Sequence, residues 1–334
     1  CYRPVRAKGV DTLCRQAIES LEDSGNSEMT LASLSTSDYR HLPALADRLL
    51  DYCEPRKINL SLPSLRADNF SRELMLRVQK VRKSGLTFAP EAGSQRLRDA
   101  INKNVTEHEI LETCATAFSG GWNSVKLYFM LGLPTETDED VMAIAELVNK
   151  IVHCWRETAS NKKRRLSINL ATAFFVPKPF TPFQWERQIS SDEYLRRVHL
   201  LQSCLTARGV DYRYHESDLS RLEAVLARGD RRLSNVLLRA HELGCKLDGW
   251  DEYFRYDLWM QAFSDCGVDP DFYTTRGFAE DEILPWQTMD VGVSRAFFLR
   301  ERALAYQSVT TPDCRTKCAG CGARVLSERE VCDE

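Results

Sequence analysis

Val125-Lys-Leu-Tyr-Phe-Met-Leu-Gly-Leu-Pro-Thr-Glu-Thr137 is a near-continuous apolar run that stops at a glycine, a proline and a carboxylate, and its reading decides the fold. An apolar run of this length reads as a strand in a parallel sheet wrapped by helices. A glycine and a proline at the strand end make an apolar turn against which a flat heterocycle can lie, and Thr137 can cap the helix that follows.

One βα unit upstream, Leu86-Thr-Phe-Ala-Pro-Glu-Ala-Gly-Ser-Gln-Arg-Leu-Arg98 runs a short strand into Glu91, Gly93 and Ser94, then into a helix bearing Arg96 and Arg98. Glycine admits close backbone approach, Glu91 can accept from the two hydroxyls of a ribose, and either arginine can grip a carboxylate bidentately. That set suits a nucleoside with an amino-acid tail. The same residues also read as the strand, tight turn, N-cap and exposed arginines of an ordinary α/β unit. Downstream, Asn169-Leu-Ala-Thr-Ala-Phe-Phe-Val-Pro-Lys-Pro-Phe-Thr-Pro-Phe-Gln-Trp185 ends in a proline-stiffened loop able to hold Lys178, Phe180, Phe183 and Trp185 over a pocket, or to pack as a rigid connector.

Outward from these segments the pattern repeats. Strands are predicted at 29–34, 57–62, 86–89, 124–130 and 167–176, with helices at 12–23, 41–52, 71–81, 95–101, 107–118, 137–155 and 192–207. Thr106 and Glu109 are placed for a capping box, and Ser191 for a simple cap. The pattern stops between about 215 and 230, which divides the chain into an α/β part, residues 1–220, and a mainly helical part, 221–334. In the second part Trp250, Tyr253, Phe254, Tyr256, Leu258 and Trp259 are expected to pack against another element. The basic run at 161–165 reads as a solvated loop.

Composition limits the function classes. The chain has 334 residues, 43% of them hydrophobic and 28% charged, and a formal net charge of -3. That balance gives no electrostatic reason for obligatory DNA binding, and no apolar run is long enough to span a membrane. The beginning, CYRPVRAKGV, has no signal core and reads as an interior cut. Most of the twelve cysteines stand alone, as reduced thiols in a cytoplasmic protein do.

FAPEAGSQRLRDAINKNVTEHEI, KLYFMLGLPTETDEDV and INLATAFFVPKPFTPFQW together resemble the fourth, fifth and sixth strand regions of radical S-adenosylmethionine (SAM) enzymes. MTLASLSTSDY and INLSLPSLRAD resemble the second and third. Within that superfamily the likeness is strongest to an uncharacterised subfamily related to the cobalamin-associated and methylthiotransferase-like branch. It covers about residues 1–215. The resemblance implies a partial (β/α) barrel with a helical C-terminal extension. It also implies a [4Fe-4S] cluster and SAM, cleaved to a 5'-deoxyadenosyl radical, a flavodoxin- or ferredoxin-type reductant, and a substrate that is RNA, protein or a small molecule.

Carried over by residue, the resemblance puts Glu91 at the ribose, Gly93 beside it among the cofactor-binding residues, and Ser94 and Arg96 at the methionyl end. Gly132, Leu133, Pro134 and Val176 line the adenine site, and Ser35 and Ser37 lie near the methionyl amine. The first strand and its cysteine loop are expected to be missing from the chain, so these 334 residues are expected not to cleave SAM reductively; observed cleavage after anaerobic reconstitution would overturn that expectation.

Cys314, Cys318 and Cys321 repeat the C-x3-C-x2-C spacing of the radical cluster, but near the C-terminal end of the sequence. Three thiolates in a glycine-bearing loop, with Cys332 as a fourth, suit a second iron-sulfur cluster or Zn2+. The intervening helical segment would let the tail fold back toward Glu91 and Arg96, but chain order favours a separate accessory site. The competing reading is a non-catalytic α/β scaffold whose zinc-type cysteine site binds protein or RNA.

Overall fold

The computed structural model describes residues 7–31, 39–61, 86–313 and 316–323. Ser35, Ser37, Cys314, Cys332 and the helix predicted at 71–81 lie outside the described residues. In chain order the elements are α1 (Val10–Ser24), β1 (Glu28–Thr30), α2 (Leu42–Arg56), β2 (Asn59–Ser61), β3 (Leu86–Glu91), α3 (Gln95–Ala100), α4 (Glu107–Ser119), β4 (Ser124–Leu131) and α5 (Asp138–Thr158). They continue as β5 (Ser167–Phe174), α6 (Ser191–Cys204), β6 (Val210–Tyr214), α7 (Ser217–Arg228), α8 (Leu233–Glu242), α9 (Tyr256–Asp265) and α10 (Arg295–Tyr306).

All described strand pairs are parallel. β1 pairs with β2, and β3-β4-β5-β6 form a four-stranded sheet in chain order. Each connection within that sheet crosses over through helix, as parallel pairing requires. No closed barrel is present among the described residues. The fold is mixed α/β with parallel sheets, the partial (β/α) arrangement expected from the sequence.

Alternation along β4 shows what holds the sheet. Val125, Leu127, Phe129 and Leu131 are buried, whereas Lys126 and Tyr128 are exposed. The buried face joins α4, α5 and α6 in one core with Ile110, Phe118, Ile144, Val148, Val198 and Leu201. Tyr194 of α6 stacks on Phe174, 4.1 Å between centroids, and donates to the His215 carbonyl at 3.0 Å. Thr106 and Glu109 form the capping box of α4. The cap of α6 is Ser190, one residue before the predicted Ser191, because its hydroxyl is the one that accepts from the Glu193 amide.

β6 is an element that the periodicity did not reveal. Val-Asp-Tyr-Arg-Tyr alternates half-buried with exposed residues, as an edge strand does, so it carries no apolar run to read. Beyond it, Val225, Val236, Trp259, Phe263 and Tyr273 form a separate helical core. Trp259, Phe254 and Leu258 pack there as predicted, but Trp250 and Tyr253 are 64% and 48% exposed, because their turn precedes α9 and meets no facing element.

Candidate functional site

The apolar strand β4 ends in a turn closed by its own carboxylate. Gly132 has φ +88°, a conformation that suits glycine, and its amide donates to Glu136 Oε2 at 2.7 Å. Arg197 of α6 meets the same carboxylate at 2.5 Å and also bonds Glu193 at 2.9 Å. Burial pushes Glu136 up to about 7, against the opposing pull of Arg197 and the Gly132 amide. One guanidinium is shared by two carboxylates. Glu193, pulled down to about 2 chiefly by hydrogen bonding from Arg196, keeps its charge, and Glu136 is the partner that titrates.

The pH consequence has a definite sign. The folded state holds the Glu136 proton more tightly than the unfolded chain, whose ordinary value is 4.5. This group's stabilising contribution is therefore complete below about 4.5 and is lost as pH rises to about 7. Glu136→Gln cannot titrate. Melting temperatures measured across that interval are expected to decline more steeply in the natural protein than in the variant, and parallel curves would contradict the assignment.

The second turn is built against α5. A β-bulge between Phe88 and Glu91 and a left-handed backbone at Glu91, φ +67°, turn the end of β3 out of register. Such a conformation at a non-glycine residue costs on the order of 1 kcal/mol and marks a constrained site. Gly93 then lies against the α5 backbone. Ser94 caps α3 by accepting from the Leu97 amide and donates to Asp140 Oδ1 at 2.5 Å.

Arg96 binds the other Asp140 oxygen and the Thr135 carbonyl, the latter at 2.8 Å. Burial opposes the Asp140 charge, but hydrogen bonds from Ser94, the Thr137 amide and Arg96 outweigh it and hold the carboxyl below its ordinary range. Arg98 is fully buried, and its guanidinium joins the carbonyls of Ala92, Gly93 and Val105.

These turns rim a cleft of about 970 Å³ at the C-terminal ends of the strands, where α/β proteins carry their ligands. From β3 and β4 come Glu91 and Met130, and from the segments just beyond β4 and β5 come Leu133, Phe175 and Val176. Lys103 also lines it and pairs with Glu91 Oε1 at 3.1 Å. The proline loop contributes Lys178 and Phe183, while Trp185 turns away into a buried cluster with Phe278 and Trp286. Phe297, Glu301 and Ala305 of α10, spaced every four residues on one helix face, form a further wall with Cys318 and Cys321 of the tail.

Of the residues singled out from sequence, the cleft brings together Glu91, Leu133, Val176, Lys178, Phe183, Cys318 and Cys321. Gly93, Ser94, Arg96, Gly132 and Pro134 are not among its lining. Ser94 and Arg96 are engaged by Asp140, and Gly132 by Glu136. Sequence reading missed Lys103, Met130, Phe175 and the α10 face. The four-residue recurrence in α10 was visible, but nothing local says that it faces a cleft.

A parallel α/β core whose strand ends rim one cleft is the architecture of the (β/α) class. Residues 4–148 match the radical SAM superfamily, so the chain carries a domain of that superfamily over that range. An uncharacterized protein of Methanocaldococcus jannaschii, MJ0966, is 31% identical over 267 residues. The match takes in 80% of this chain and 56% of that relative, so the chain spans little more than half its length. No helix among the described residues is long and apolar enough to cross a membrane.

Proposed function

We propose that the cleft is the SAM site of a radical SAM enzyme. The observation that carries this reading is that Glu91, Leu133 and Val176, from the ends of three successive strands, line one cleft of about 970 Å³. Glu91 accepts from the ribose hydroxyls, and Leu133, Phe175 and Val176 form the apolar wall for adenine. Lys103, already in the cleft beside Glu91, is the cation best placed to meet the methionyl carboxylate, since Arg96 is held by Asp140. The Asp140 contacts of Ser94 and Arg96 instead fix the turn that presents Glu91.

The superfamily's [4Fe-4S] cluster supplies the electron that cleaves SAM to a 5'-deoxyadenosyl radical. Among the described residues no group of three His, Cys, Asp or Glu side chains is placed to hold a metal ion. The electron would come from a flavodoxin- or ferredoxin-type donor. All nine described cysteines are reduced, which supports a cytoplasmic setting.

Equilibrium dialysis tests the site without any turnover. The protein is expected to bind SAM, and Glu91→Ala to weaken binding about tenfold, the effect of losing one or two hydrogen bonds to the ribose. Equal affinity in the two proteins would sink the assignment.

A further inference from the structure

The strand-end reading of the cleft leaves two of its wall residues without a task. Cys318 and Cys321 belong to Cys318-Ala-Gly-Cys321-Gly322, and both line the cleft shared by Glu91, Leu133 and Val176. The other described cysteines are scattered singly through the helices and helical core. Among the described residues, only this pair is clustered in sequence and only this pair borders the cleft.

The local backbone is shaped around the two sulfurs. The Gly320 amide donates to Cys318 Sγ at 3.4 Å, and the Ala323 amide donates to Cys321 Sγ at 3.4 Å. In both cases the donor is the second residue after the cysteine. A left-handed glycine stands in each turn, as the donor itself in the first, Gly320 at φ +67°, and as the residue between in the second, Gly322 at φ +95°. Amide donors to sulfur recur around metal-bound thiolates, where they orient the ligand and tune the centre.

The segment is also fastened in place. The Ser294 amide at the start of α10 donates to the Cys321 carbonyl at 3.0 Å, and Arg300 donates to the Ala319 carbonyl. Gly322 sits so close to Gly292 that an added Cβ would lie 2.9 Å from its carbonyl oxygen. Ala319 and Cys321 pack on the cluster of Trp185, Phe278, Trp286, Phe297 and Phe298. Just ahead, the Thr311 amide bonds Asn102 Oδ1 at 2.9 Å, which ties the tail to the loop after α3. The tail thus does fold back over the strand ends, an arrangement that chain order alone disfavoured.

We propose that Cys318 and Cys321 are ligands of a thiophilic metal centre, zinc or the iron of an iron-sulfur cluster, set into the wall of the substrate cleft. Thiolates with amide donors to sulfur suit either metal, and these two supply half of a four-ligand site. Placement in the cleft makes the centre a neighbour of whatever reacts there, able to bind a substrate group or to pass an electron to it. Thiolate ligation stands whether or not SAM is the molecule that shares the cleft.

Metal content per chain, measured by mass spectrometry on anaerobically purified protein, provides the first test. About one zinc or a few irons per chain are expected, and visible charge-transfer absorption separates iron-sulfur from zinc. Cys318→Ser/Cys321→Ser should lower the content at least about tenfold, whereas Cys266→Ser and Glu91→Ala should retain it. Circular dichroism is compared across the set so that loss of fold is not read as loss of a ligand. Metal-free natural protein, or equal metal in the double variant, would overturn the proposal.

Cobalt substitution gives the second readout. Thiolate-to-cobalt absorption is expected in the natural protein and not in the double variant. Broadening of the adenine proton resonances of bound SAM by cobalt would place the centre in the cleft. Cobalt-loaded protein that binds SAM without broadening would refute that placement, while cobalt-thiolate absorption without any SAM binding would leave the centre standing and remove the SAM reading alone.

Discussion

Gly93→Ala is expected to destabilise the protein by about 3 kcal/mol, the upper range for overpacking a closed site. A Cβ at Gly93 would stand 2.4 Å from the Ile144 amide nitrogen and 2.7 Å from the Asp140 carbonyl oxygen. Both are backbone atoms of α5, so no side chain can swing aside. Relief requires the turn after β3 to lift off the helix, which stretches the contacts of Ser94 and Arg96 to Asp140 and moves Glu91 with them. Gly249→Ala is the matched control, because a methyl there meets nothing within 4 Å. Urea unfolding midpoints measure the difference, and near-equal midpoints would show that the turn has freedom the packing denies it. Glycine here serves the approach of helix backbone to turn, a different use from the ligand approach that its strand-end position suggested.

Arg98→Leu is expected to lose about 3 to 4 kcal/mol through the opposite defect, polar groups left without partners. The guanidinium binds the Gly93 carbonyl at 2.8 Å and those of Ala92 and Val105 at 3.1 Å, with Gln95 Oε1 at 3.0 Å. Among the described residues no carboxylate pairs with it at salt-bridge distance, and desolvation lowers its pKa. Its role is to satisfy carbonyls that the tight turn cannot direct into a helix or strand. Leucine fills part of the space but donates nothing. Arg98→Lys should recover only a fraction, since an ammonium cannot span the fork of acceptors. Because Gly93 contributes one of those carbonyls, the two defects should combine less than additively in a double variant. Additive losses in the unfolding free energy would show the turn and its arginine to be independent.

The sheet was legible because its signal is local and periodic. An apolar run such as Val125–Leu131 has few other places to go, and β3, β4 and β5 lie close to the predicted ranges. Among the strand-end residues that line the cleft, Glu91 was legible from its own chemistry and Leu133 and Val176 through the resemblance, and parallel strands put all such ends on one edge. The partners of Ser94 and Arg96 were not, because Asp140 is 46 and 44 positions away and its use depends on how α5 packs. The fragment Thr137-Asp-Glu-Asp140 did advertise a capping box, a clue to Asp140 although not to its second task. The tail was the least legible part. Cysteine spacing gave its chemistry, but only the contacts of Thr311, Ala319 and Cys321 with distant residues gave its address.

Those contacts also fix when the cleft can exist. Thr311 reaches Asn102 across 209 positions, and the tail settles on α10 only after that helix has formed. During synthesis the sheet and both strand-end turns can assemble while the remaining chain is still unmade, because their contacts are comparatively short in range. The cleft has no far wall until the last residues that line it have been translated. An emerging chain therefore carries a folded scaffold before it carries a complete chamber, and the enclosing wall is added only after α10 and the segment that follows it have been made.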